Sequence, residues 1–200
     1  MSDVSSDVRI GLDGIARCRW VGDSPEYISY HDTEWGRPLH GDWPLFEKIC
    51  LEGFQAGLSW ITILKRRPAF RDAFDGFDLD RVASFDAADV ERLMADDRII
   101  RNRAKILAAI ENARATLTLV TDAPGALDDL IWSFAPPTRA RRPRDYGDLP
   151  AVTPESTALS TALRGRGFRF VGPTTMYALM QSAGLVDDHL VGCHRADEAT

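Results

Sequence analysis

The chain has 200 residues and a mass of 22.2 kDa, a size that suits one domain. Hydrophobic residues make up 44% of it and charged residues 27%, which excludes a chain that is disordered throughout. No run of eighteen apolar residues occurs, and residues 1–16 lack the basic and apolar segments of a secretory signal. We therefore expect a cytoplasmic protein without a membrane span. It should have a flexible leader over 1–16, one domain over 17–195 and a tail over 196–200.

The net charge of −6 argues against a protein that holds long stretches of nucleic acid by charge alone, but it leaves local contacts open. Only three of the 24 basic residues are lysine, and arginine suits phosphate contact by its fork geometry. The cysteines Cys18, Cys50 and Cys193 are an odd number in a chain with no export signal, so a disulfide framework is not expected. They are core residues, nucleophiles or metal ligands, and Cys50 is expected in the core.

Helical periodicity dominates the chain, and the two-residue alternation that is typical of strands is absent. The first clear helix begins at Asp42, which can cap it, and Pro44 is tolerated in its first turn. The apolar residues that fall on one face of this helix are Leu45, Phe46, Ile49, Cys50 and Phe54. The break at 57–59 ends it, and Ser59 can cap the next helix.

Five more helices are predicted toward the C-terminus. Asp86 caps a short helix, the longest helix covers about 99–119, and others lie near 127–134, 155–164 and 173–183. The segment 135–154 holds five prolines and four arginines, so it cannot form regular structure. It is either a solvated loop or a strand that contacts phosphates. The pattern predicts an all-α domain of about eight helices.

Two cysteines and two histidines offer the ligand set of a tetrahedral zinc site. Twelve residues separate Cys18 from His31, and three separate His189 from Cys193. The second pair lies at i and i+4, so one helical turn could direct both side chains to one ion. The two pairs are 158 residues apart, so four unconnected residues are the alternative. Four protein ligands would make the metal structural and would join the two ends of the chain.

The region between residues 20 and 60 is rich in aromatic residues and contains one isolated acid. Eight of the eighteen aromatic residues lie there, either as core or as the walls of a flat ligand pocket. Glu52 has apolar neighbours and is either exposed beside Lys48 and Gln55 or buried for a purpose. Gly53 would weaken its helix unless something approaches it closely.

Several long segments make the chain resemble the 3-methyladenine DNA glycosylase I family. They are RCRW (17–20), YISYHDTEWG (27–36), CLEGFQAGLSW (50–60), IIRNRAKI (99–106), WSF (132–134), GFRFVG (167–172) and LVDDHLVGC (185–193). These segments extend over most of the chain. The segment 135–154 and the leader are the departures from the family pattern.

The resemblance implies a compact helix-hairpin-helix glycosylase fold, whose DNA-holding hairpin falls at about 163–184. It also implies a structural zinc that ties the N- and C-terminal segments. The implied zinc ligands are Cys18, His31, His189 and Cys193. His194 could compete as a ligand, and His40 is expected at the surface. The residues implied to form the alkylated-adenine pocket are Glu52, Tyr30 and Trp60, with Tyr27, Trp20 and Trp35 nearby.

The implied reaction is hydrolysis of the N-glycosidic bond of N3-methyladenine in double-stranded DNA, after the base has been flipped out. Methylation places a positive charge on the base and makes it a good leaving group. Trp60 would stack on the cationic ring, Glu52 would accept hydrogen bonds from it, and Tyr30 would supply a second polar contact. Water would be activated by Glu52, Asp187 or Asp188.

The hairpin region contains no lysine, so no Schiff base is expected and the enzyme would be monofunctional, without lyase activity. The residues expected to contact DNA are Leu58, Gly172, Thr174, Thr175, Arg166 and Arg169. Leu58 is a wedge or a core residue. We expect a monomer. The alternatives are a hydrolase with a catalytic zinc, and a non-enzymatic binder of alkylated DNA or free methyladenine.

Overall fold

The structure, a computed structural model, describes residues 6–139 and 141–197. This part of the chain is mostly helical, as predicted. Its helices are α1 (Pro25–Thr33), α2 (Asp42–Gln55), α3 (Trp60–Ala73), α4 (Leu79–Ser84), α5 (Ala87–Ala95), α6 (Arg103–Val120), α7 (Ala126–Trp132), α8 (Pro154–Arg164) and α9 (Pro173–Ser182). None of them has both the length and the hydropathy that a membrane crossing requires.

A small antiparallel sheet, β1 (Val8–Ile10) with β2 (Ala16–Cys18), precedes the helices. Val8 pairs with Cys18 and is buried, so the prediction of a flexible leader is wrong for residues 8–16. Strands of three residues are too short to show the alternation that identifies a strand. Residues 1–5 lie outside the described residues. At the other end Ala196 is buried, so the predicted tail does not begin there; residues 198–200 also lie outside.

Helix α2 carries both core residues and site residues. It contacts α3, α6, α7 and α9, and its predicted apolar face is buried. A Cβ atom on Gly53 would lie 3.3 Å from Cβ of Phe170, so the glycine allows the loop before α9 to approach α2 closely. The sequence analysis expected a helical glycine at position 53 only if another segment approaches it closely, and the loop before α9 does so.

Asp42 was the predicted cap of α2, but its carboxylate caps α7. Oδ2 accepts the N–H of Gly125 at 2.6 Å, and Oδ1 accepts the N–H of Leu127 at 2.9 Å. Gly41 takes the N-cap position of α2. The acid thus joins the starts of two helices that are distant in sequence, a contact that no local pattern indicates.

Two other helix starts test the predicted caps. Asp86 caps α5 as predicted, because its side chain accepts hydrogen bonds from the backbone of the first turn. The longest helix begins later than predicted. The side chain of Asn102 accepts the N–H of Lys105 at 3.2 Å and starts α6 at Arg103 instead of residue 99.

Helices α8 and α9 pack against each other and are joined by residues 165–172. Asn112 on α6 holds this loop in place. Its Oδ1 accepts the N–H of Arg169 at 2.7 Å, and its Nδ2 donates to the Arg169 carbonyl at 3.1 Å. Phe170 has a φ of +57°, a left-handed conformation that is unfavourable for a bulky residue. Tertiary contacts therefore impose the shape of the loop.

Candidate active site

A cavity of about 360 Å³ lies between α1, α2, α3, α9 and the segment around 146–149. We name it the aromatic pocket, and its size falls within the range of small-molecule sites. It is lined by Trp20, Tyr27, Tyr30, Trp35, Glu52, Gln55, Trp60, Tyr146, Leu149, Ala178, Gln181, Ser182 and Asp188. All six residues that the family resemblance implied for a base pocket are therefore brought together.

The aromatic rings of this pocket hold one another in place. The Trp20 ring lies 5.2 Å from those of Tyr27 and Trp35 in edge-to-face contacts, and the rings of Tyr30 and Trp60 are 5.6 Å apart. Such contacts stabilise specific ring orientations. The Tyr27 hydroxyl also accepts the N–H of Ile61 at 2.8 Å, which anchors its ring to the start of α3. The pocket therefore has rigid, flat walls.

Glu52 is buried in the pocket lining, with 3% of its surface exposed, so the alternative of an exposed acid is wrong. Ser182 Oγ donates a hydrogen bond to Glu52 Oε1 at 2.9 Å. The other oxygen, Oε2, is buried and has no hydrogen-bond partner among the described residues. Burial raises the pKa of Glu52 to about 7, against the opposing effects of the Lys48 charge and the Ser182 hydrogen bond. The carboxylate therefore has an acceptor available for a ligand.

Lys48 entered the sequence analysis only as a neighbour of Glu52, in the alternative that exposes that acid. The structure buries Lys48, with 8% of its surface exposed, one helical turn before Glu52. Its Nζ lies 5.3 Å from the ring centre of Tyr30 and 5.6 Å from that of Trp60. Burial lowers the pKa of Lys48, whereas Glu52 and Glu34 raise it. A positive charge therefore lies behind two walls of the pocket.

The residues predicted to bind zinc form a second cluster next to the pocket. The ligand atoms of Cys18, His31 and Cys193 all lie within 4.8 Å of one another, and the three residues are buried. His31 Nε2 is 3.4 Å from Cys193 Sγ. The ring of His189 lies 4.9 Å from that of His31, and its buried Nε2 has no hydrogen-bond partner among the described residues.

Nδ1 of both His31 and His189 is hydrogen-bonded to a carboxylate. His31 Nδ1 donates to Asp32 at 2.8 Å, and His189 Nδ1 donates to Asp187 at 2.7 Å. Both Nε2 atoms are therefore left for a metal, as in carboxylate–histidine–zinc arrangements. His194 was expected to compete as a metal ligand, but its Nε2 lies 3.1 Å from Oδ1 of Asp32. Three close donors, with the unpartnered Nε2 of His189 beside them, are of the types that a tetrahedral zinc ion takes.

Comparisons with known proteins give the family. The family model for methyladenine glycosylase matches residues 20–196. A DNA-3-methyladenine glycosylase of Haemophilus influenzae is 50% identical over 179 residues, which cover 88% of this chain and 96% of that protein. The chain belongs to the methyladenine glycosylase family. It is therefore a glycosylase.

Solved structures of the family have the same fold. A crystal structure of a 3-methyladenine DNA glycosylase I matches with a TM-score of 0.86 and 48% identity, over 89% of this chain and 98% of that one. The 3-methyladenine DNA glycosylase I of Staphylococcus aureus, solved to explain 3-methyladenine recognition, matches with a TM-score of 0.82 and 35% identity, over 88% and 94%.

Asp188, one of the two acids considered for activating water, lies in the pocket lining and is held there by three neighbouring side chains. Its Oδ2 accepts hydrogen bonds from Tyr177 at 2.7 Å and Gln181 at 2.8 Å, and its Oδ1 lies 3.0 Å from Arg139 Nη1. Oδ1 accepts no hydrogen bond from a described residue and has only the charge of Arg139 beside it. Asp187 binds His189 and Arg142 and is absent from the pocket lining. The geometry favours neither acid over Glu52.

The segment 135–154 has a role that neither sequence alternative described. Two of its arginines bind acids that follow α9: Arg142 donates to Asp187, and Arg139 pairs with Asp188. Tyr146 accepts the N–H of Trp20 at 2.8 Å and, with Leu149, lines the pocket. Sequence reasoning missed this wall because a proline-rich segment has no periodicity that would show which side chains are buried. Residue 140 lies outside the described residues.

The residues predicted to contact DNA lie outside the pocket lining. Leu58 is 41% exposed in the turn between α2 and α3, which contradicts its alternative as a core residue. Gly172 is the N-cap of α9, and Thr174 in the first turn is exposed. Arg166 is exposed, whereas Arg169 pairs with Glu111 on α6. Their contact with DNA stays a prediction.

Proposed function

We propose that this protein is a DNA-3-methyladenine glycosylase of base excision repair, which hydrolyses the N-glycosidic bond of N3-methyladenine in double-stranded DNA. The observation that carries the proposal is Glu52 Oε2, a buried acceptor without a partner among the described residues, in a pocket with aromatic walls. The names of its relatives, with about half of their residues identical, support the same substrate.

Charge and shape together select the base. The cationic, flat base stacks on Trp60 beside Tyr30, where aromatic rings favour a positive charge. The ionised carboxylate of Glu52 attracts that charge and accepts a hydrogen bond from the exocyclic amine at Oε2. Normal adenine is neutral and gains no such attraction. In a pocket that excludes water this difference is large, because the electrostatic interactions are weakly screened.

The base must leave the duplex to reach the aromatic pocket, because its walls surround a single ring system. Leu58, exposed between α2 and α3, would enter the base stack as a wedge. The pair α8–α9 would serve as the helix-hairpin-helix element. Backbone N–H groups at Thr174 and Thr175, after Gly172, would bind a phosphate, with Arg166 nearby.

Hydrolysis needs little further chemistry, since methylation already weakens the glycosidic bond. Glu52 has Oε1 bonded to Ser182 and Oε2 placed at the exocyclic amine, so its proposed role is to bind the cationic base, and the attacking water is not assigned to a residue. No lysine occurs in the described lining of the pocket, so the proposed reaction proceeds without a Schiff base and without strand cleavage. A covalent DNA adduct trapped by borohydride would contradict this monofunctional assignment.

Cys18, His31, His189 and Cys193 would hold a structural zinc ion. Four protein ligands leave no position for a reacting water, so the ion would contribute folding stability only. It would fasten the β1–β2 hairpin to the C-terminal segment and hold the walls of the aromatic pocket, which include Trp20 and Trp35. The protein would act as a monomer.

The deciding experiment is release of free base. Methylated duplex DNA incubated with the protein should yield 3-methyladenine, detected by chromatography, and Glu52→Gln should abolish the release. Tight binding of methylated DNA without release would instead indicate a non-enzymatic binder. Metal-stripped protein that stays folded, but loses turnover until zinc is restored, would indicate a catalytic metal.

A further inference from the structure

Lys48 and Glu52 form a buried pair of opposite charge on one face of α2. They lie at i and i+4, a spacing that brings side chains together on a helix. Lys48 does not line the aromatic pocket. It lines an adjoining cavity of about 310 Å³, the rear cavity, which also includes Glu34, Glu47 and Arg67. Ser182 lines both cavities, so the two cavities share a wall, with Lys48 on one side and Glu52 on the other.

The contacts of the ammonium group are mainly aromatic. Nζ lies over the rings of Tyr30 and Trp60, the two rings proposed to face the base, and it donates no hydrogen bond to a described residue. A buried ammonium without a hydrogen-bonded partner is costly unless a nearby negative charge compensates it.

The other charges around the pair are already matched. Arg67 on α3 donates two hydrogen bonds to Glu34, at 2.5 and 2.7 Å. Arg71 donates to Glu47 at 2.8 Å. Among the acidic groups that act on Lys48, Glu52 is the one without a guanidinium partner, so the two buried charges compensate each other.

We propose that Lys48 is a positioning residue that favours the ionised form of Glu52 and so sets the acidic limit of the pH range in which the pocket accepts a cationic base. The inference rests on the proposed function. It adds a residue that does not touch the base but decides whether the acid that does so carries its charge.

The test is a pH titration of the Glu52 carboxyl carbon by NMR in the full chain without substrate. Lys48→Met should raise the midpoint by about one to two pH units, because the opposite charge one helical turn away is lost. The acid limb of kcat/KM for 3-methyladenine release should move by the same amount. Lys48→Arg should restore both, and Lys65→Met, which removes an exposed lysine on α3, should change neither.

An unchanged Glu52 midpoint in folded Lys48→Met would overturn the proposal. If that variant does not fold, the reciprocal measurement decides: Glu52→Gln should lower the pKa of Lys48, followed by NMR of its ε-carbon, and an unmoved value would overturn the proposal equally. Neither titration requires turnover. Failure of the wild-type protein to release base would refute the proposed function and leave this measurement standing.

Discussion

Ser182 Oγ donates a hydrogen bond to Glu52 Oε1 across 2.9 Å and so joins α9 to α2 inside the pocket lining. Both residues are buried. The bond fixes one oxygen of the carboxylate, while Oε2 has no hydrogen-bond partner among the described residues. Because a hydrogen bond to a charged acceptor favours the charged form, Ser182 also works against the burial that raises the pKa of Glu52.

Replacement of Ser182 by alanine should therefore weaken recognition of the base. A hydrogen bond to a charged group contributes about 1.5–3 kcal/mol, so kcat/KM for base release at pH 7 should fall about 10- to 100-fold. The pKa of Glu52 should rise further above its ordinary value. Ser160→Ala, at a buried serine on α8, is the matched control. Equal activity of the two variants would contradict the role given to Ser182.

Glu52→Gln should separate function from stability. The pKa of Glu52 is raised from 4.5 to about 7 in the folded protein, so between these pH values the unfolded chain ionises first and folding stability falls. Above pH 7 the loss is on the order of 3 kcal/mol. Glutamine does not ionise, so the variant should unfold at a higher temperature than the wild type at pH 8 and at a similar temperature at pH 4.5.

The same variant should lose affinity for the cationic base far more than affinity for unmodified DNA. Thermal unfolding at the two pH values measures the stability, and titration with methylated and unmodified duplexes measures the binding. Glu91→Gln, at an exposed acid whose pKa is lowered by Arg103, is the control and should not gain stability at pH 8. A parallel loss of both affinities would contradict the placement of Glu52 at the base.

The aromatic stretch with its embedded acid left a core and a pocket as alternatives, and the pocket residues came from the family resemblance. The sequence was insufficient for Lys48, because a helical wheel assumes one buried face. Helix α2 contacts four other helices, so residues on its apparent polar side are buried as well. Ser182 and Tyr146 were also missed, since they reach the pocket from distant segments with ordinary local sequence.

The positions of α2, α3 and α5 to α9 followed from apolar periodicity and capping residues, but α1, α4, several helix boundaries and the small sheet did not. Asp42 has the sequence context of an N-cap for α2, and only the tertiary fold brings α7 close enough for its carboxylate to cap that helix instead. The β1–β2 hairpin is stabilised by contact of β2 with the turn His194–Asp197. This long-range contact is not indicated by the hairpin's own residues.

Leu58→Ala tests the proposed wedge. Leu58 is exposed and packs against no core, so its truncation should leave the unfolding temperature almost unchanged. Release of 3-methyladenine should fall about ten-fold on duplex DNA and much less on single strands, because only a duplex must be unstacked. Leu107→Ala, at a leucine of α6 with similar exposure, is the control. An equal loss on both substrates would contradict the wedge.

The proposed zinc site makes a prediction at Gly36, a residue that is not a ligand. Gly36 has a φ of +74°, and a Cβ atom there would lie 2.7 Å from Cε1 of His189. Gly36→Ala should therefore displace the imidazole from the cluster. Loss of ligand orientation weakens metal binding by about 10- to 100-fold. The variant should therefore lose its zinc at a chelator concentration lower by the same factor than the wild type requires.

Backbone strain alone must be separated from this clash. Gly76→Ala provides the control, because Gly76 also has a positive φ, +68°, but a Cβ atom there meets nothing within 4 Å. It should lose some thermal stability and keep one zinc ion per chain, as measured by elemental analysis. If both variants retained zinc equally against the chelator, His189 would not be a ligand, and its buried Nε2 would need another partner.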